Sequence, residues 1–94
     1  MDEAIMLTDK LRHRAKDNCD NPGAAQAADL KELTELLYTE TKQNKDPDAL
    51  FVRVKEVEQH VQDLRATEGI YSLPDVNDMY DRCQELKQLF KELA

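Results

Sequence analysis

Val76, Met79, Cys83, Leu86, Phe90 and Leu93 are separated by three or four positions throughout. That spacing puts them along one side of an α-helix and is incompatible with the two-residue period of a strand. A stripe of this kind belongs to a helix that packs knobs into holes at a shallow crossing angle. An earlier stretch repeats it, with Leu50, Val54, Val57, Val61 and Leu64 stepping by four, three, four and three. Valine is a mediocre helix former, and it fills three of those five positions. A strand through LFVRVKEVEQHV would place Leu50, Val52 and Val54 on one face. Lys55 and Glu56 interrupt that alternation and the heptad continues past them, so the helix is the better reading.

Turn residues divide the remainder. Asn21-Pro22 follows the polar run DNCDN and reads as an N-cap with proline at the first helical position, and Asp46-Pro47 repeats the signal. Ser72 can cap a further helix, with Asp75 answering it as in a capping box, and Gly69 is a natural stop just before. These marks predict helices over residues 3–18, 22–44, 47–68 and 73–93. The second carries Leu30, Leu33 and Leu37 flanked by Ala27 and Leu36, with Thr34, Tyr38 and Thr41 as a milder stripe at the edge of the core. The first, with Ala4, Leu7, Leu11 and Ala15, is the thinnest. Helices of about 20 residues run about 30 Å. Short connections make sequence neighbours antiparallel, so the expected fold is all-α, a single up-down-up-down antiparallel four-helix bundle.

The connection EGIYSLPD, residues 68–75, holds three large apolar residues where the chain turns. With Gly69 as the left-handed residue ending one helix, Ile70 falls where a Schellman ending packs it back toward Leu64. With Ser72 as the next N-cap, Tyr71 and Val76 have the spacing of a hydrophobic staple. Leu73 is expected to close the same end of the bundle. The competing reading makes Ile70 and Tyr71 an exposed anchor for a partner.

Charged residues make up 35% of the chain and the formal net charge is −7, which repels phosphate backbones and disfavours nucleic acid as a general partner. Cys19 and Cys83 have no metal-binding spacing; Cys83 lies on an apolar stripe and is expected buried, Cys19 at a helix end and exposed. With no long apolar run and no leader-like start, the expectation is a cytoplasmic protein that does not enter membranes.

KLRHRAK, residues 10–16, is the one basic run, contributing +4 against −11 from the rest of the chain. Lys10, Arg12 and Arg14 could meet an anionic polymer, a membrane or an acidic protein. The structural alternative is attraction to Asp75, Asp78 and Asp81 near the start of the fourth helix, at the end where an antiparallel first helix finishes. Glu56 and His60 share a helix face, but the repeated Glu-x-x-His of carboxylate-bridged bundles is missing, so no metal and no cofactor is expected. His13 has no neighbouring Cys or carboxylate triad, and no phosphate loop or nucleophile elbow occurs. Ile5 and Met6 point off the seam of the first helix and form a candidate contact surface, self-association included.

The function expected is therefore a non-enzymatic protein–protein interaction module of adaptor, docking or chaperone-like type, binding a protein partner or a second copy through helix faces. Its candidate contact residues are Ile5, Met6, Lys10, Arg12, Arg14, Ile70 and Tyr71. The alternatives are a small metal- or ligand-binding bundle and an anionic-polymer or membrane binder using the basic run.

Overall fold

The computed structural model describes residues 1–94. Four helices follow in order, α1 (Asp2–Asp17), α2 (Ala25–Lys42), α3 (Pro47–Arg65) and α4 (Leu73–Leu93), with no strand. Each helix packs on its chain neighbours, α1 also packs on α4, and the diagonals do not meet. This is the square of an up-down-up-down antiparallel bundle, with Cα extents of 37 × 19 × 17 Å. At least one ion pair crosses each seam: Arg12 to Glu35 at 3.2 Å, Arg53 to Glu40 at 2.8 Å, Lys87 to Glu58 at 2.6 Å and Arg14 to Asp75 at 2.7 Å. Such half-exposed pairs contribute little stability each, but they join positions that face one another only in the antiparallel register.

The heptad residues of α3 and α4 are buried as their spacing predicts. Val54, Val57, Val61, Met79, Cys83, Leu86 and Phe90 are fully enclosed, while Val52, on the face a strand would have buried, is 57% exposed. Leu93, the last residue of that stripe, is 46% exposed because the bundle ends there.

Helix ends differ from the sequence reading in three places. α2 starts at Ala25 rather than Pro22. Asn21 to Ala24 instead form a turn, the Ala24 N–H donating to the Asn21 carbonyl at 3.1 Å, and the Asp20 N–H just before it donates to the Ile70 carbonyl across the bundle end at 2.8 Å. α2 stops at Lys42 in a Schellman ending: Asn44 takes the left-handed conformation (φ 55°), its N–H donates to the Thr41 carbonyl, and the Lys45 N–H donates to the Glu40 carbonyl. α3 stops at Arg65, three residues before the predicted end. Its last turn tightens, with the Thr67 N–H on the Leu64 carbonyl and the Thr67 hydroxyl on the Asp63 carbonyl. Gly69, at φ +88°, therefore serves the connection beyond the helix rather than the helix stop itself. The N-terminus of α4 follows expectation, the Ser72 hydroxyl accepting from the Asp75 N–H at 3.3 Å.

α2 departs most from its reading. Its buried positions are Ala27, Leu30, Thr34, Leu37 and Thr41, which keep the step of three and four. Thr34 and Thr41 are fully enclosed rather than at the edge, Leu33 is half-buried, and Leu36 is 39% exposed. Thr8 of α1 is enclosed as well. Each threonine hydroxyl donates to a carbonyl of its own helix, Thr8 to Ile5, Thr34 to Lys31 and Thr41 to Leu37, so no buried side-chain polar atom is left without a partner.

Candidate functional site

The two connections at one end of the bundle clasp each other. Ile70 and Tyr71 are each only 5% exposed and belong to the core. The Tyr71 hydroxyl donates to the Ala15 carbonyl at 2.6 Å, supplying a donor to the last turn of α1, where the helix has run out of backbone N–H groups. The Ile70 carbonyl accepts from the Asp20 N–H and, at 3.6 Å, from the Cys19 thiol. Burial, and then the adjacent Cys19 thiol, push the Tyr71 phenol well above its usual pKa. As anchors for a partner Ile70 and Tyr71 are therefore corrected: their side chains close the bundle, since two loops meeting at one end shield whatever apolar residue either carries. Leu73 does the reverse of what its position suggests and stands 58% exposed at the first turn of α4.

The basic run is largely absorbed by the fold. Arg14 bonds Asp75 at 2.7 Å and Asp78 at 2.8 Å, and Arg82 joins the same Asp78 at 3.0 Å. The Ser72 hydroxyl, with Arg14 and Asn18 adding, holds the Asp75 carboxyl below its ordinary pKa against the opposing effect of burial. Asp81 is exposed and takes no part. Arg12 reaches Asp9 at 2.8 Å and Glu35 at 3.2 Å, with its guanidinium 4.1 Å from the Tyr38 ring centroid. Lys10 alone of the three candidates is exposed and outside the ion pairs. The cleft between α1 and α4 beside this cluster, about 270 Å³, is lined by Asp9, Asp17 and Asn18 as well as by the cations, so its charge is mixed.

His60 is partly exposed and its Nδ1 lies 3.1 Å from the Glu56 carbonyl. No group of three metal-binding side chains converges anywhere in the fold. Both cysteines are free. Cys83 is enclosed, and burial, with Glu58 adding and Lys87 opposing, pushes its thiol up to about 12. Cys19 is half-buried rather than exposed. Of the apolar pair on α1, Ile5 is half-buried and Met6 is 49% exposed.

The surface the sequence reading missed lies between α2 and α3. Leu33 and Leu36 line a groove of about 310 Å³ with His60, and Asp29 and Glu32 complete it. No basic side chain pairs with Asp29 or Glu32. The Asp63 carboxylate, one turn beyond His60, has only the Gln59 side chain as partner, at 3.1 Å. A signal was present in the sequence: Ala27, Leu30, Thr34, Leu37 and Thr41 form an unbroken heptad once threonine is admitted to the core, and that rotation turns Leu36 outward.

No family model, no curated protein and no solved structure matches the chain. No helix is long and apolar enough to cross a membrane.

Proposed function

We propose that the protein is a non-enzymatic protein–protein interaction module that binds through the outer faces of its helices. One observation carries this reading: α2 is rotated so that two threonines lie inside the bundle while Leu36 is 39% exposed and Leu33 half-buried. A rotation that buried Leu33 and Leu36 on one face would carry Asp29 and Glu40 inward with them, so the observed rotation, with Ala27, Leu30 and Leu37 inside, leaves the Leu33–Leu36 pair at the surface. A single exposed leucine means little, but here the exposed and half-exposed leucines line one groove. Met6 on α1 offers a second apolar contact point.

The test is capture from lysate by the wild-type chain, by Leu36→Gln and by Met6→Ser. Glutamine keeps helix propensity while removing the apolar surface. The reading requires that a protein held by the wild type be lost from Leu36→Gln or Met6→Ser at unchanged helicity. Equal recovery by all three chains refutes binding through these faces.

A further inference from the structure

Resting on that reading, we propose that the groove between α2 and α3 receives a basic amphipathic helix of a partner protein. One of the partner's apolar side chains seats on Leu33 and Leu36 beside His60, and its Lys or Arg residues pair with Asp29 and Glu32.

Two packed antiparallel helices form a straight trough, the shape into which a third helix lays its apolar face. The space of about 310 Å³ holds one or two large side chains rather than a small-molecule ligand enclosed on all sides. Its floor is leucine and its rim is acidic. Asp29 and Glu32 form no ion pair, although Glu32 also borders a hollow lined by Arg12, Lys16 and Lys31, whereas Glu35, Glu58 and Asp75 at the other seams and Glu40 farther along this one are bridged within the fold. A cationic partner supplies what the rim lacks, and the net charge of −7 draws such a partner in from a distance. The same charges disfavour a second copy here. A two-fold dimer places one patch against itself, which would bring two acidic rims into one interface.

The probe is a synthetic amphipathic helix of about 15–20 residues made of leucine and lysine. A scrambled peptide of the same composition and a leucine–glutamate version serve as controls. Binding is measured by titration calorimetry and mapped by amide chemical shifts on the whole chain. The expected map centres on Leu33, Leu36 and His60. Leu36 is 39% exposed, so only that share of a leucine's burial is left to gain, and Leu36→Gln should weaken binding about three- to eightfold. Asp29→Asn with Glu32→Gln should weaken it less and flatten its salt dependence. Equal binding of the scrambled peptide, or shifts centred on the Met6 face, overturns the groove assignment. Concentration-dependent dimerisation abolished by Leu36→Gln makes a second copy the occupant and overturns it too, as does absence of binding at low salt. None of these results touches the interaction reading itself, which stands or falls on the lysate comparison.

Discussion

Replacing Tyr71 with phenylalanine removes one oxygen and leaves the ring in place. That oxygen donates to the Ala15 carbonyl at 2.6 Å, with Tyr71 5% exposed and Ala15 fully enclosed. The Ala15 carbonyl has no backbone donor, since α1 ends at Asp17 and the Asn18 N–H goes to Arg14. The substitution therefore strands a buried acceptor instead of removing both partners, which costs about 1–3 kcal/mol. In a domain of this size each kcal/mol moves the melting temperature by about 4–8 °C, so Tyr71→Phe should melt roughly 4–24 °C lower. Urea denaturation followed by circular dichroism should show a lower midpoint with an unchanged slope, because the same surface is exposed on unfolding. Alkaline pH provides a second readout. Burial raises the phenol above its usual 10.0, so the folded state favours the neutral form. That contribution is complete below pH 10.0 and is lost as pH rises through the folded value. The wild type should lose this part of its stability in strong alkali and Tyr71→Phe should not. Stability of Tyr71→Phe within about 0.5 kcal/mol of the wild type at neutral pH, with the same alkaline limb, refutes the clasp between the two loops.

Cys83→Ala should cost about 1–2 kcal/mol at neutral pH through the cavity it leaves. It should also flatten stability between pH 9.0 and about 12, the window over which the wild type loses the contribution of its raised thiol; denaturant midpoints across that range test both parts. Ser72→Ala should cost about 1 kcal/mol, read from the urea midpoint, by uncapping α4. Asp75→Asn should flatten the acid limb. The depressed carboxyl contributes stability above its usual 3.8 that the wild type loses as pH falls through the lower folded value, and acid titration followed by circular dichroism checks it. Thr41→Val should be neutral or stabilising within about 1 kcal/mol, because its hydroxyl serves only the Leu37 carbonyl of its own turn; a thermal melt far below the wild type would mean that the hydroxyl has a role in the core.

The helices and their number were legible from period and punctuation. In α3 and α4 the apolar stripe is continuous and the helix has only one way to bury it, so Val54, Val57, Val61, Met79, Cys83 and Phe90 fall inside as read. The ends were less legible. Pro22 looks like a helix start, but Asp20 is held by Ile70 from a different part of the chain, and no local pattern records that bond. Arg14 and its aspartates were anticipated from charge and topology together, with Asp75 and Asp78 engaged and Asp81 left outside. The groove was not anticipated. Leu30 and Leu37 of α2 belong to two overlapping stripes, one adding Leu33 and one adding Thr34 and Thr41, and choosing leucine over threonine hides the groove.

By itself the sequence determined where helices form and which stripe α3 and α4 bury, because a 3.6-residue period is a local property that any compact state must respect. Only the tertiary structure decided the rotation of α2 and which part of the chain closes over Ile70 and Tyr71. A helix flanked by two neighbours is turned by the packing of both, and threonine can enter a core when its hydroxyl bonds back to its own helix. A loop residue becomes core only when a second loop, distant in sequence, closes over it.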